Sequence, residues 1–412
     1  MVSIDIGTVV RLEISKIVHG GLGLARHDGQ VIFCPGVVPG DVVSARVREV
    51  KKSHGFADLV DVLSPGPDRQ PHIWREADWR RPPEGRPGSA DFGHITIDAQ
   101  RRIKSEILRE ALIRQGRFSE SDVSTVVIDA IPGRPDGLHW RTRETLHVSG
   151  SVAGPRAASS HTVVPVTQLP LAHQAINDAG AHTTNWEGHS SVRLVWSAND
   201  GVITHVDRDQ AVGISETVHG HTFFLDSRSF WQVHTDAPEV LWSAVTESIV
   251  WDEVDQGAPH LDLYGGVGLF ARAFLSQTGD GASIVSVESD PVASGFAGRN
   301  IADYSGSTAH RADAVAFLRD EASVVAAAHR DKYRGSVVIV DPPRSGLGTS
   351  AVAALIGLRA SQVIYVACDP VAFARDAAHL REAGYHLTSL KGFDLFPHTH
   401  HMEVVAGFGL VS

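Results

Sequence analysis

His260-Leu261-Asp262-Leu263-Tyr264-Gly265-Gly266-Val267-Gly268 reads as a short strand running directly into a glycine-rich turn. Glycines at such a turn let the backbone come close to a ligand. The segments Ser283-Ile284-Val285-Ser286-Val287-Glu288, Val337-Val338-Ile339-Val340-Asp341 and Val363-Ile364-Tyr365-Val366-Ala367 are further short strands, separated by helix-like, alanine-rich stretches. Strand and helix alternating in this way predict a doubly wound parallel sheet. The expectation is an α/β, Rossmann-like domain over residues 223–412, with its working residues at the carboxyl ends of the strands.

Glu288 ends the second of these strands, where an acid can accept both ribose hydroxyls of an adenosine cofactor. The turn lacks the full Gly-x-Gly-x-x-Gly of dinucleotide sites, and Asp262 stands ahead of its glycines. Asp-x-x-x-Gly-x-Gly favours S-adenosyl-L-methionine over a nicotinamide cofactor, with a ligand-free tight turn as the alternative. Asp313 follows a third apparent strand and suits either the adenine amino group or a helix N-cap. In Asp341-Pro342-Pro343-Arg344 the carboxylate falls at the sheet edge, close to where a cationic sulfonium would lie, and the prolines shape the turn.

Cys368 closes the next strand, in Tyr365-Val366-Ala367-Cys368-Asp369-Pro370. A thiol there is either a nucleophile with partners that hold its thiolate or a small core residue. Glu403 enters the apolar run Val404-Val405-Ala406-Gly407-Phe408, where a carboxylate needs a job or an ion-pair partner at the sheet edge. His398, His400 and His401 precede it, but no cysteine or acidic cluster joins them, so no metal site is expected.

The rest of the chain sets the context. Its 412 residues hold two cysteines, Cys34 and Cys368, too far apart for a zinc or disulfide pattern. With no secretory signal and no membrane-spanning apolar stretch, a cytoplasmic protein is expected. A net charge of −11 excludes non-specific coating of nucleic acid. Between Arg69 and Arg117, however, eleven Lys/Arg face seven Asp/Glu, a local basic patch or a solvated face. Residues 1–63 read as closely spaced strands with Gly-Gly, Asp-Gly and Pro-Gly turns, which predicts a small β-barrel. Residues 64–222 read as a central α+β domain with a helix from Asp98 to Gln115.

Asp341-Pro342-Pro343-Arg344, Tyr365-Val366-Ala367-Cys368-Asp369-Pro370 and Pro397-His398-Thr399-His400-His401-Met402-Glu403, in this order, resemble the RNA 5-methyluridine (uracil-5-) methyltransferase family. Phe230-Trp231-Gln232-Val233-His234 resembles that family's Phe-Phe-Gln-Val-Asn-like segment, and residues 1–63 resemble an OB-like TRAM barrel. The resemblance implies S-adenosyl-L-methionine held by Gln232, Tyr264, Glu288, Asp313 and Asp341. It implies Cys368 as nucleophile and Glu403 as general base, with Asp341 orienting the methyl donor or the base. The implied partner is tRNA or rRNA, with no membrane, and the protein is expected to act as a monomer.

Two departures stand out. Arg86-Pro87-Gly88-Ser89-Ala90-Asp91-Phe92-Gly93-His94 has no cysteine where many relatives carry an iron–sulfur site, so no iron–sulfur cluster is expected. Asp369 stands where asparagine is usual, and its charge should oppose a thiolate at Cys368. The rival readings are a methyltransferase acting on a nitrogen or a small molecule, with Cys368 structural, and a non-catalytic RNA-binding factor.

Overall fold

The structure, a computed structural model, describes residues 5–158, 160–328 and 331–410. The first six strands are β1 (Val9–Glu13), β2 (Lys16–Val18), β3 (Leu22–His27), β4 (Gln30–Cys34), β5 (Val42–Val50) and β6 (His54–Ser64). They form one sheet in the order β1-β5-β6-β4-β3-β2. Between β1 and β2, Ile14 N–H donates to Asp41 O and Ser15 N–H to Leu24 O, both at 2.9 Å, so the chain crosses from β5 to β3 and curls the sheet into a barrel. Alternate residues of β1 and β5 point inward, as the period-two pattern requires. Cys34 is one of these buried side chains, a core residue of the barrel.

Then follow α1 (Ile97–Arg114), α2 (Glu120–Val123) and β7 (Ile128–Asp129). Helix α1 starts one residue before the expected Asp98. Thr96 takes the N-cap position without a side-chain cap, and Asp98 sits in the first turn, 3.0 Å from Arg101. Next, β8 (Arg143–Ser149), β9 (Val152–Gly154), α3 (Gln174–Asp178), β10 (Ser191–Ser197) and β11 (Gly201–Val206) build a four-stranded antiparallel sheet, β11-β10-β8-β9. The hairpin β12 (Gly213–Val218) and β13 (His221–Asp226) and helix α4 (Ala237–Ser248) lead into the last sheet.

That sheet takes β14 (His260–Leu263), α5 (Leu269–Thr278), β15 (Ile284–Glu288), α6 (Pro291–Asn300), β16 (Thr308–Arg311), α7 (Ala314–Ala328), β17 (Val337–Val340), α8 (Gly348–Leu358), β18 (Gln362–Ala367), α9 (Pro370–Glu382), β19 (Tyr385–Phe393) and β20 (Glu403–Leu410). The order is β16-β15-β14-β17-β18-β20-β19-β7. The first five are parallel, and β20 is antiparallel to β18. Every residue of β14, β17 and β18 is buried, as expected of parallel strands covered by helices on both faces. The order reverses between β14 and β17, and a crevice at such a switch point is where ligands bind.

The two faces bury separate cores. One contains residues of α4, α5 and α6. The other contains residues of α1, α7, α8 and α9 and continues through Phe92, Ile95 and Ala99 into the barrel interior. The barrel is therefore packed against this eight-stranded sheet. The middle interval joins that sheet as well, since β7 extends its edge beside β19 and α1 packs on α9.

Lys104 of α1 is fully buried, and its Nζ lies 2.5 Å from Asp394 Oδ1 and 3.1 Å from Phe396 O. This pair fixes the segment that runs into Pro397–Glu403. Lys104→Met should cost about 3 kcal/mol, because it leaves a buried carboxylate whose remaining ion-pair partner among the described residues is Arg101, at 3.6 Å. Urea unfolding of the two proteins measures it.

Candidate active site

At the end of β14 the chain turns sharply. Tyr264 has φ +61° and Gly266 φ +54°, and Gly268 has φ +88° where α5 begins. A tyrosine in the left-handed region carries strain, which the surrounding hydrogen bonds must hold. Gly265 N–H donates to Val287 O at 3.1 Å, Gly266 N–H to Glu288 Oε2 at 3.1 Å, and Gly268 N–H to Gly265 O at 2.8 Å. A Cβ on Gly265 would stand 2.7 Å from Asp262 Oδ2, so no side chain fits under the turn. A Cβ on Gly266 would meet nothing within 4 Å, so the outer side is open to a ligand.

Asp262 is buried beneath this turn. Its Oδ2 accepts from Ala271 N–H and the Ser286 hydroxyl, both at 3.2 Å, while its buried Oδ1 has no partner among the described residues. Glu288, at the end of β15, accepts from Gly266 N–H on Oε2 and from Asp290 N–H and the Ser289 hydroxyl on Oε1, which leaves Oε2 the freer oxygen. Asp313 lies just past β16, exposed, and its Oδ1 caps α7 by accepting from Ala316 N–H at 2.9 Å. The capping takes one of its two oxygens, so the two sequence readings of Asp313 are compatible.

Gln232 makes no hydrogen bond among the described residues. Its segment is tethered to the glycine turn indirectly. Asn300 Nδ2 donates to Val267 O and to Phe224 O, both at 2.9 Å, and Trp231 packs on Phe223 with ring centroids 5.6 Å apart. Trp231 is buried, whereas Phe230 beside it is 65% exposed, a bare aromatic face that sequence reading did not single out.

The other half of the site lies on β17, β18 and β20. Asp341 follows β17, and its N–H donates to Leu263 O at 3.2 Å. Cys368 follows β18. In the antiparallel register Ala367 pairs with Val404, so Cys368 and the buried Glu403 end adjacent strands at the same sheet edge. Asp262, Glu288, Asp341, Cys368 and Glu403 thus converge from four strand ends and one strand start, although they span most of the C-terminal half.

Their electrostatics are coupled. Burial pushes the Asp262 carboxyl up to about 7, and burial together with the Asp262 charge does the same to Asp341. Burial and the Asp341 charge raise Glu403 well above the usual carboxylate range, against the pull of Arg344. Burial pushes the Cys368 thiol up to about 12, with Glu403, Asp341 and Asp369 adding to it and Arg344 opposing. So many acids in one poorly solvated crevice cannot all ionise. The free site holds protons and has room, electrostatically, for a cation.

The three histidines before Glu403 point to three different partners. His398 is buried between Gln100 Nε2, at 3.0 Å, and Asp136 O, at 2.8 Å. His400 Nδ1 is 2.7 Å from Asp91 Oδ2, and His401 Nε2 is 3.2 Å from the Arg344 guanidinium. Among the described residues no group of three or more His, Cys, Asp or Glu converges on a metal position. Arg344 stood in the Asp341-Pro342-Pro343-Arg344 motif without a role of its own; in the structure its charge favours the ionised forms of both Cys368 and Glu403.

The chain matches family models at both ends: a TRAM domain over residues 5–60 and tRNA (uracil-5-)-methyltransferase over residues 312–409. An uncharacterized RNA methyltransferase of Streptomyces avermitilis is 32% identical, over 97% of this chain and 98% of its own length. The chain belongs to the RNA uracil-5-methyltransferase family. A 23S rRNA (uracil(1939)-C(5))-methyltransferase, RlmD, of Shewanella denitrificans is 25% identical to this methyltransferase, over 97% of this chain and 96% of the relative. In fold it resembles the tRNA (uracil-54, C5)-methyltransferase of Pyrococcus abyssi, solved in complex with S-adenosyl-L-homocysteine, with a TM-score of 0.70. That likeness covers 97% of this chain and 99% of the other, at 19% identity. No helix among the described residues is long and apolar enough to cross a membrane.

Proposed function

We propose that this methyltransferase transfers a methyl group from S-adenosyl-L-methionine to carbon 5 of a uridine in tRNA or rRNA, through a covalent bond between Cys368 and carbon 6. The observation that carries this reading is the meeting of Cys368, Glu403 and Asp341 at one sheet edge beside the glycine turn. The crevice suits the cofactor. The open backbone at Gly266, the remaining acceptor capacity of Glu288 and Asp313, and the Gln232 amide and Asp262 Oδ1, both without a partner among the described residues, fit an adenosine with a positively charged sulfur. Bound there, S-adenosyl-L-methionine supplies an electrophilic methyl group on a cationic sulfonium.

The chain's own residues account for the rest. Cys368 adds as thiolate to carbon 6, forming the S–C6 bond and moving the C5=C6 electrons toward the carbonyl oxygen at carbon 4. Carbon 5 thereby becomes nucleophilic enough to take the methyl group, the electrons of the broken S–CH3 bond staying on the sulfur of the departing S-adenosyl-L-homocysteine. Glu403, as carboxylate, then removes the carbon 5 proton. The electrons of that C–H bond restore C5=C6 and expel the Cys368 thiolate. Arg344, facing both groups, favours the charged form of each in turn. Asp341 stands between the glycine turn and Glu403 and is suited to orient both.

A uracil stacked in a duplex cannot reach Cys368, so the target is a loop base or one flipped out. Phe230 offers that base or its neighbour a stacking face. The Arg69–Arg117 stretch offers less charge than its composition suggests. Arg69, Arg80, Arg101, Arg102, Lys104, Arg114 and Arg117 are each paired with a carboxylate. Phe230→Ala should weaken RNA binding by about 1–3 kcal/mol, the usual worth of one aromatic–base stack, without changing S-adenosyl-L-homocysteine affinity. Filter binding and calorimetry test the two halves of that statement. The reading as a whole is tested with RNA containing 5-fluorouridine, which lacks the proton that Glu403 removes. A stable protein–RNA adduct that needs both cofactor and Cys368 supports it, and full methylation by Cys368→Ala overturns it.

A further inference from the structure

Asp369 raises a problem that the barrel resolves. The residue following the nucleophile carries a negative charge where a thiolate must form. In the structure Asp369 has two tasks. Its Oδ1 caps α9, accepting from Val371 N–H at 3.0 Å and Ala372 N–H at 2.8 Å. Its Oδ2 lies 2.9 Å from Nε2 of His19, in the β2–β3 turn of the barrel. His19 is 350 residues away in sequence.

The contact is held by a packed joint. Gly21, two residues on, lies so close to the loop carrying His400 that a Cβ there would stand 2.9 Å from Asp91 Oδ2, 3.0 Å from His400 Cβ and 3.2 Å from the Phe92 ring. On the adjoining strand, Lys16 Nζ is 2.7 Å from Glu110 of α1, the helix that packs on α9. His19 is therefore delivered by the way the barrel seats on the catalytic sheet.

We infer that His19 is a positioning residue that offsets the Asp369 charge beside Cys368, so that the nucleophile reaches full reactivity only while the N-terminal barrel is docked on the catalytic sheet. The inference rests on the reading of Cys368 as the nucleophile. The hydrogen bond that His19 donates to Asp369 raises the His19 pKa against the effect of burial. Burial pushes Asp369 the other way, but the bonds from His19 and the α9 N–H groups outweigh it and leave its carboxyl below the usual range. The charged groups around Cys368 are Glu403 on β20, Asp341 and Arg344 after β17, and Asp369 at the start of α9. Those around the barrel turn are Asp369, Asp91 and His400, with the Lys16–Glu110 pair behind. Among them, His19 contacts Asp369 and, when protonated, brings it a positive charge.

The sign follows. Protonated His19 offsets Asp369 and lowers the cost of the Cys368 thiolate. That help is fully present below the His19 pKa and is lost as pH rises through it. The pair is partly exposed, which limits its size.

The test is the alkylation of Cys368 by iodoacetamide in the full chain, followed by peptide mass spectrometry across pH. It uses wild type, His19→Ala, His19→Gln, Asp369→Asn and the double variant His19→Ala/Asp369→Asn. While His19 is protonated, His19→Ala should alkylate about 3–10-fold more slowly, matching a half- to one-unit rise in thiol pKa, and the gap should close as pH rises through the raised His19 pKa. His19→Gln keeps a hydrogen-bond donor and the packing but not the charge, and should be slowed alike. Asparagine caps a helix as well as aspartate does, so the Asp369→Asn background should show no effect of His19→Ala. Wild-type rates in both His19 variants would overturn the inference. So would a slowing that is uniform with pH, or one that persists in the Asp369→Asn background. Because alkylation needs neither RNA nor cofactor, this outcome is separate from the proposed reaction, which stands or falls on Cys368→Ala.

Discussion

Cys368→Ala should abolish RNA methylation, lowering the single-turnover rate by at least about 10⁴-fold, as removal of a covalent nucleophile does in enzymes whose other groups act only through it. Carbon 5 of uracil is a weak nucleophile, and nothing else at this sheet edge can add to carbon 6. Glu403 and Asp341 are carboxyls, each raised by burial in the same crevice. The variant should fold normally, because Cys368 lies at the end of β18 and is partly exposed, not part of the core. It should bind S-adenosyl-L-homocysteine as wild type does, since the glycine turn, Glu288 and Asp313 are untouched. Calorimetry and a tritiated-methyl assay on the same preparation separate these outcomes. Loss of cofactor binding together with activity would point instead to a structural thiol.

Glu403→Gln should move two observables in opposite directions. Turnover should fall by about 10²–10⁴-fold, the usual worth of a positioned general base, and the protein–RNA adduct should accumulate with ordinary uridine. The Cys368 thiol, in contrast, should become easier to ionise. Among neighbouring charges Glu403 is the largest contributor to its high pKa, so alkylation at a fixed pH should speed up. A structural defect would slow both. The wild-type pH profile follows from the same crowding. Asp341 is pushed up to about 7 and Glu403 is raised well above its ordinary value, so both gain protons as pH falls. The base is then lost, so kcat/KM should fall as pH falls, with Asp341 contributing to that limb near pH 7. Glu403→Gln should remove its part of that acid limb.

The parallel sheet was legible because its strands are buried on both faces. Val337–Val340 and Gln362–Ala367 read as apolar runs for that reason. The glycine turn was legible because only glycine fits above Asp262 at position 265. The barrel was legible from its turns and its period-two strands. Less visible was the edge of the catalytic sheet. Strand β7 has two residues and no pattern of its own, and it pairs only because α1 and β19 bring it there.

In the site, Cys368, Asp341 and Glu403 could be named from motifs at strand ends, where the chain itself fixes the position of a side chain. Arg344 sat in one of those motifs, but its role depends on which groups it faces. Lys104 looked like one more cation in a basic helix. The structure buries it against Asp394, because the helix face toward the C-terminal segment is set by how α1 packs and not by its composition.

Fold class, the glycine turn and the placement of acids and a thiol at strand ends were thus legible in the sequence alone, since each depends on local periodicity or on a short run of neighbours, while the roles proposed for those groups rest on the family resemblance. The partners of those groups were decided by the tertiary structure. His19 lies 350 residues before Asp369, and no local pattern could pair them. Their meeting is a consequence of a barrel turn seating on the start of α9, where a buried core shared by the two domains holds the joint closed. Long-range electrostatics of this kind depends on distance and burial, and the chain has neither until it is folded.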